Sequence, residues 1–199
     1  SPPRRVATAA GAAPADVFAA EEGWIPGCVK DGQSVQADWL PAARLIEDVK
    51  IRESRHLIKG AGLLTEVFRS DWGLDDGVVD QVFEVRLSAG EVSAWHAHRF
   101  TRDRLFVSHG SARIVLYDAR VGSGSHGLVN EFRFGSRRPA LVLVPPGVWH
   151  GVQNLSRGSS RILNLVDKAY SYREPDHWRL PADTPHIPYR FGAAGGPGR

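Results

Sequence analysis

The sequence predicts a single all-β domain folded as a jelly roll or closed barrel. From about residue 48 onward, short apolar stretches are separated by Gly, Asp, Ser and Pro, a pattern typical of strands joined by tight turns. Several stretches alternate apolar and polar residues, as expected when one face of a sheet lines a core. The chain has 199 residues, 42% of them hydrophobic, which is enough for one domain with a sizeable core. Many short strands in such a chain favour a jelly roll or barrel.

Six segments give the clearest strand signal. They are residues 62–69, 80–87, 104–107, 112–117, 140–144 and 161–166. After the last of these, prolines at positions 175, 181, 185 and 188 argue against regular structure. We therefore expect the closing segment to wrap over the barrel.

Composition divides the chain into four parts. Residues 1–21 are rich in Ala and Pro and are predicted to form a flexible arm, and residues 192–199 are a Gly- and Pro-rich tail. Residues 22–47 are an N-terminal extension that we expect to pack on the barrel. Residues 48–191 form the jelly-roll domain.

The charge and cysteine content exclude several classes of protein. The net charge of +3 is small and scattered, which argues against a nucleic-acid partner. The single cysteine, Cys28, excludes an internal disulfide and is compatible with a reducing cytoplasm. No apolar run approaches the roughly 20 residues that span a bilayer, and the opening residues lack a secretory signal. We expect a cytoplasmic protein without a membrane partner, and a homodimer because a second copy commonly covers open sheet edges.

Two motifs carry the candidate chemistry. The first is Gly90-x5-His96-x-His98-x4-Asp103-x6-Gly110, and the second is Pro145-x-Gly147-x2-His150-x3-Asn154. Histidines two residues apart on a strand point to the same face, and a turn can return Asp103 towards them. Three imidazoles and a carboxylate in two strand-turn units suit either a metal ion or a proton-transfer pair.

The spacing of the two motifs resembles the signature of the cupin superfamily, with Asp103 where the superfamily usually has glutamate. This resemblance implies a double-stranded β-helix, the cupin jelly roll. Four further segments are similar to the dTDP-4-dehydrorhamnose 3,5-epimerase family. They are residues 64–69 (LTEVFR), 115–120 (VLYDAR), 144–151 (VPPGVWHG) and 183–189 (DTPHIPY). The chain resembles a divergent member of that family over about residues 48–191.

The family resemblance implies a reaction and a set of catalytic residues. The family abstracts a proton next to the C4 ketone of a dTDP-bound 6-deoxy sugar and reprotonates the opposite face. By position, His96 corresponds to the base, Asp183 to the aspartate that orients it, and Arg104 to the residue that supports the enolate oxygen. The acid stays open between Tyr170 and Tyr172, because the family's tyrosine position holds Asn164 here.

The same resemblance implies a substrate-binding set and no cofactor. The set comprises Arg69, Arg120, Lys59, His150, Trp149, Glu66 and Asn164. Lys59 stands near the family's phosphate-binding arginine and supplies a point charge with less orientational precision. The implied partner is a nucleotide-linked 4-keto-6-deoxy sugar of polysaccharide or glycoside biosynthesis.

Two alternatives remain open from the residues. His96, His98, Asp103 and His150 form a ligand set for one divalent transition metal such as Fe, Mn, Ni, Zn or Co. A metal-dependent cupin of this kind is either a sugar isomerase or an Fe(II) oxygenase. Since a metal-bound His96 is not a free base, the metal and the epimerase mechanism compete for this residue. A non-catalytic sugar-binding cupin is the second alternative.

Overall fold

The structure is a computed structural model that describes residues 32–37 and 43–192. Cys28, the predicted arm of residues 1–21 and residues 193–199 of the predicted tail lie outside the described residues. The chain divides into two compact units, Ser1–Ala43 and Arg44–Arg199. In the first unit, residues 32–37 are exposed, and Gln33 donates a hydrogen bond from Nε2 to the carbonyl of Val35 at 3.2 Å.

The second unit is built from antiparallel strands. In chain order they are β1 (Lys50–Glu53), β2 (His56–Lys59), β3 (Gly62–Thr65), β4 (Gln81–Leu87), β5 (Val92–Ala97), β6 (Asp103–His109), β7 (Ser111–Asp118), β8 (Val129–Gly135), β9 (Ala140–Val144), β10 (Val148–Asn154), β11 (Ser160–Val166) and β12 (Trp178–Arg179). A short 3-10 helix spans Ser70–Trp72. Across the described residues, no helix has the length and apolar character needed to cross a bilayer.

Two five-stranded sheets carry the fold. The first has the strand order β1-β9-β6-β11-β4, and the second has the order β12-β5-β10-β7-β8. The strands β2 and β3 form a separate hairpin. Non-consecutive strands lie side by side in both large sheets, as in a jelly roll. The predicted all-β jelly-roll class is confirmed.

The main core lies between the two sheets. Buried side chains such as Val107 and Val142 of the first sheet pack in one cluster with Ile114 and Leu116 of the second. The N-terminal edge of this unit contributes Ile46, which is 1% exposed and donates its backbone N–H to Asn130 Oδ1. Removing this apolar surface from water is the main favourable term in folding.

The outer face of each sheet is covered by an irregular segment. Phe68, Trp72 and Leu74 pack against Phe106 and Leu141 on the first sheet. The closing segment, including Ile187 and Tyr189, packs on Trp95 and Val115 of the second sheet. Strand β9 is therefore buried along its whole length, as its uniformly apolar sequence indicates.

Two glycines of the sequence motifs occupy turns that a side chain would strain. Gly110 joins β6 to β7 with a φ of 75°, and a Cβ there would lie 2.6 Å from Ser160 Oγ. Gly147 precedes β10 with a φ of 82°. Left-handed backbone is readily adopted by glycine. These turns set where β7 and β10 begin, and the start of β10 in turn places His150.

Candidate active site

Strand pairing brings the motif residues to one cavity between the sheets. In the second sheet β5 pairs with β10, and His96 lies opposite His150. His98 follows directly after β5. In the first sheet Asp103 opens β6 and Asn164 lies on β11. All five side chains line the same cavity, so both sheets contribute polar groups to it.

The cavity is large enough for a small-molecule ligand. Its volume is about 600 Å³, within the range of ordinary ligand pockets. Its apolar wall includes Phe83, Val85, Leu87, Leu105, Val152 and Ile162. Lys168, Tyr170 and Arg179 line the same cavity and are exposed. The cavity thus combines an apolar wall, an imidazole cluster and two exposed cationic side chains.

Asp103 lies between two histidines in this cavity. Its Oδ2 atom is 3.3 Å from His98 Nε2 and 3.8 Å from His150 Nε2. Its other oxygen, Oδ1, accepts a hydrogen bond from Asn164 Nδ2 at 2.6 Å. Asp103 is 2% exposed and His150 is 5% exposed. The two imidazoles therefore share one buried carboxylate oxygen.

Backbone carbonyls fix the tautomers of these two histidines. The Nδ1 atom of His98 hydrogen-bonds to the carbonyl of Asp176, and that of His150 lies 3.4 Å from the carbonyl of Val148. A carbonyl only accepts, so each Nδ1 carries the hydrogen, and the Nε2 of a neutral ring is an acceptor. Burial lowers the pKa of His150, which favours its neutral ring. We assign the tautomers from these hydrogen bonds.

His96 has different neighbours from the other two motif histidines. Its Nδ1 lies 3.0 Å from His177 Nε2, and its Nε2 lies 3.0 Å from Ser93 Oγ. Burial, followed by the nearby imidazoles of His150 and His177, lowers the pKa of His96 to about 3. At neutral pH the ring is therefore uncharged.

The loop that carries His177 is tied to the turn after His98. The Asp176 carboxylate accepts hydrogen bonds from the backbone N–H groups of Arg99, Phe100 and Thr101. Burial opposes ionisation of Asp176, but these hydrogen bonds outweigh it and lower the pKa of this carboxyl group. The same loop continues into β12, where Arg179 lies opposite His96. These contacts hold His177 and Arg179 beside the motif histidines.

The structure corrects the predicted position of Arg104. This residue follows Asp103 on β6, and consecutive side chains on a strand point to opposite faces. Its guanidinium group is fully buried under the covering segment, where it pairs with Asp75 at 2.5 Å and lies 5.3 Å from the Phe68 ring. Arg104 faces away from the imidazole cluster, so the expected support of an enolate oxygen does not fit this position.

Asp183 is also placed differently from the expectation. It is exposed and lies in a turn that the hydrogen bond from Thr184 N to Pro181 O closes. His177 holds the Nδ1 atom of His96 instead. The expected pairing of His96 with Asp183 is therefore replaced by a pairing of two imidazoles.

The predicted substrate-binding arginines hold local structure. Arg120 donates to Asp118 and to the backbone carbonyl of Glu47, which ties down the turn after β7. Arg69 is exposed and binds Glu66 and Asp71 through charged hydrogen bonds. These contacts occupy both guanidinium groups and also place the predicted Glu66 in the Arg69 pair.

The remaining predicted residues divide between the cavity and the surface. Trp149 packs on the outer face of the second sheet, because its neighbour His150 points inward. Lys59 is exposed at the tip of the β2–β3 hairpin. Tyr170 lines the cavity, whereas Tyr172 is 90% exposed and contacts the Tyr170 ring edge-on at 5.5 Å. Tyr170 is therefore the better placed of the two tyrosines.

Sequence reasoning missed several cavity residues. They are His177, Arg179, Lys168 and Ser93. Ser93 lies three residues before His96 and faces its ring, a spacing that strand geometry does not single out. His177 and Arg179 come from the irregular segment about 80 residues later, for which the sequence offered no periodic signal.

A sequence relative identifies the family of this chain. The probable low-salt glycan biosynthesis epimerase Agl13 of Haloferax volcanii is 30% identical over 139 residues, which cover 69% of this chain and 89% of the relative. No protein-family model matches the chain. This chain belongs to the dTDP-4-dehydrorhamnose 3,5-epimerase family of sugar epimerases, which are isomerases. The predicted membership as a divergent branch is confirmed.

Solved structures show the same fold. A dTDP sugar isomerase from Desulfovibrio desulfuricans superimposes with a TM-score of 0.70 at 24% identity and covers 78% of this chain and 98% of its own length. The dTDP-4-dehydrorhamnose 3,5-epimerase of Bacillus anthracis gives a TM-score of 0.65 at 19% identity, with coverages of 74% and 86%. Both comparisons support the jelly roll described above.

Proposed function

We propose that this chain epimerises a nucleotide-linked 4-keto-6-deoxy sugar, with His96 as the base that removes a proton next to the ketone. The observation that carries the proposal is the His96–His177 pair inside the cavity. Proton abstraction at carbon needs a base held in one orientation beside the substrate. His177 contacts Nδ1 of His96 and provides that orientation, and Nε2, beside Ser93 Oγ, is the nitrogen proposed to take the proton.

The proposed acid is Tyr170. Its side chain lines the cavity and remains 47% exposed, so its hydroxyl group has space to approach a bound sugar. Asn164, at the family's tyrosine position, donates to Asp103 and accepts from the backbone N–H of Arg104. These two hydrogen bonds give Asn164 a structural role in the first sheet. Reprotonation is therefore assigned to Tyr170, in the loop after β11.

The proposed substrate class draws on the relatives and on the cationic side chains of the cavity. The two structural neighbours are named for dTDP sugars, and the Haloferax relative is named for glycan biosynthesis. Lys168 and Arg179 line the cavity, and two cations suit the diphosphate of a nucleotide sugar. In this proposal Lys168 and Arg179 bind the substrate in place of the predicted Arg69, Arg120 and Lys59.

The proposal includes a homodimer in the cytoplasm. The β2–β3 hairpin exposes four large apolar side chains, Leu57, Ile58, Leu63 and Leu64. Exposed apolar patches mark association surfaces, and a second copy of the chain is the proposed occupant. Sedimentation of the wild type beside a Leu63→Ser variant tests the dimer, and a monomeric wild type would contradict it.

The function is tested by proton exchange at the sugar. In deuterated buffer, the wild type is expected to exchange the C3 or C5 proton of dTDP-4-keto-6-deoxyglucose, measured by nuclear magnetic resonance. His96→Ala is expected to slow this exchange by about 10²- to 10⁴-fold, the usual contribution of a general base. His186→Ala, which removes an exposed histidine, is the matched control. Exchange at the parent rate in His96→Ala would exclude His96 as the base, and a wild type that exchanges neither proton would contradict the function.

A further inference from the structure

We propose that His98, Asp103 and His150 bind one divalent transition-metal ion beside His96. The three side chains present one potential ligand atom each, and these atoms lie within 4.8 Å of one another. The role of the ion in the reaction rests on the function proposed above. Binding of the ion rests only on the geometry of these three residues.

The first argument is electrostatic. Asp103 Oδ2 faces His98 Nε2 and His150 Nε2, and the carbonyl contacts at Nδ1 direct the Nε2 side of each ring towards the carboxylate. Three potential ligand atoms therefore point into one nearly buried space. A buried polar group is costly unless it is paired. A cation at this point binds all three atoms and removes the cost.

The distances fit this interpretation. Ligand atoms bound at about 2.1 Å to a tetrahedral or octahedral ion lie roughly 3.0 to 3.4 Å apart. The distances from Asp103 Oδ2 to the two nitrogens are 3.3 and 3.8 Å. The first distance lies within this range, and the second exceeds it by about 0.4 Å.

The surrounding hydrogen bonds match those of a metal site. Metal-binding histidines usually donate a hydrogen bond from the N–H of the second ring nitrogen to a carbonyl or carboxylate, which fixes the ring. His98 and His150 both have such a carbonyl, from Asp176 and Val148. The other carboxylate oxygen of Asp103, Oδ1, accepts a hydrogen bond from Asn164 Nδ2. Asn164, which is unsuited to be an acid, thus orients a ligand.

The proposed set contains three residues of the four that the sequence suggested. His96 directs its ring nitrogens to Ser93 and His177, and its ring centre is 6.0 Å from that of His150. His96 therefore lies outside the ligand set, and an ion held by the other three does not bind the proposed base. The competition between a metal and the epimerase mechanism for His96 is removed by this geometry.

Two imidazoles and one carboxylate suit Zn, Fe, Co, Ni or Mn as divalent ions. When bound, such an ion supplies Lewis-acid polarisation of the sugar ketone oxygen. That is the task for which Arg104 had been expected. In the chain itself, His96 moves the proton, and Asn164 and the two carbonyls orient the ligands.

The site is tested with Co²⁺, whose visible absorption reports its ligands. Untagged full-length protein, freed of metal by a chelator, is titrated with Co²⁺, and bound metal is counted by elemental mass spectrometry. We expect one ion per chain. Asp103→Asn, which keeps the shape of the side chain, is expected to weaken binding by more than the roughly 10- to 100-fold that loss of an outer hydrogen-bond partner costs. His98→Ala serves as a second ligand variant if Asp103→Asn does not fold.

Two further variants define the ligand set. His96→Ala and the exposed-residue control His186→Ala are expected to bind Co²⁺ with the absorption and affinity of the wild type. Failure of the wild type to bind, or unchanged binding in both folded ligand variants, would overturn the site. Loss of binding in His96→Ala would overturn the three-residue set.

The same samples separate this site from the proposed function. A wild type that binds Co²⁺ but exchanges no sugar proton would contradict the function and leave the site standing. Proton exchange by a wild type that binds no Co²⁺ would overturn the site and leave the function standing.

Discussion

Asp103 and Asp118 are two buried carboxylates with opposite surroundings. Asp118, at the end of β7, accepts hydrogen bonds from Arg120, Ser123 and Ser125. Asp103, at the start of β6, accepts one from Asn164 and faces the Nε2 atoms of two imidazoles. Both residues are at most 2% exposed, so burial alone does not distinguish them. The difference lies in the partners.

The contrast separates a structural carboxylate from a candidate functional one. Around Asp118, permanent donors meet both oxygens, and the result is a fixed turn. Around Asp103, the second oxygen faces two imidazole nitrogens, where the metal ion is proposed to bind. Polar groups that a fold leaves without a complementary partner are candidates for ligand binding. Arg120, the predicted substrate residue, belongs to the first kind of site.

The same substitution at both carboxylates tests whether they differ in their contribution to stability. Asp118→Asn is expected to lower the free energy of unfolding by about 4 kcal/mol, because it leaves the partly buried Arg120 with only the exposed carboxylate of Asp48 as a charge partner. Asp103→Asn is expected to change it by less than about 1 kcal/mol in chelator, since the new amide can donate to an imidazole. Urea denaturation measures both values. Equal losses at the two sites would contradict the distinction.

The pH dependence of the free energy of unfolding gives a second test of the Asp118 pairing. Burial opposes ionisation of Asp118, but hydrogen bonds from Arg120, Ser125 and Ser123 outweigh it, so the pKa of this carboxyl group lies below its usual value. A lowered folded-state pKa gives stability that is present above the unfolded pKa of about 3.9 and is lost as the pH falls below it. The stability gap between wild type and Asp118→Asn is therefore expected to narrow from pH 7 to pH 3. A constant gap would contradict the pairing.

Much of the fold and part of the site were predictable from the sequence. Alternating apolar residues indicated strands such as β4, β7 and β11, and the motif spacing predicted that His96, His98, Asp103 and His150 meet. Arg104 was misplaced because its role came from a family position. Strand alternation beside Asp103 already required the opposite face, so local geometry was the stronger guide.

A variant pair at Arg104 tests that correction. Arg104→Met is expected to lower the free energy of unfolding by about 3 kcal/mol, because it leaves Asp75 nearly buried without its cation. Adding Asp75→Asn is expected to recover most of the loss, since the amide still accepts from Gly77 N. Sugar proton exchange by the double variant is expected to match the wild type. A large loss of proton exchange in the folded double variant would show that Arg104 is needed for the reaction.

His177 was not predictable for a different reason. It reaches His96 from an irregular loop, 81 residues away in sequence, and irregular segments carry no period that reports their position. The contact depends on Asp176, whose carboxylate binds the turn after His98. Such loop residues enter a site through tertiary contacts alone.

The smallest expected effect concerns the positioning of His96 by His177. His177→Ala is expected to lower kcat for sugar epimerisation by about 10-fold with little change in KM, because His96 remains but loses one of its two ring contacts. His177→Gln is expected to restore part of kcat, since its amide oxygen can accept a hydrogen bond from Nδ1–H of His96 and leave the Nε2 lone pair for the proton. Steady-state kinetics of the three proteins measure the division between kcat and KM. A rise in KM at constant kcat would instead make His177 a substrate-binding residue, and equal losses in both variants would leave His96 positioned by Ser93 alone.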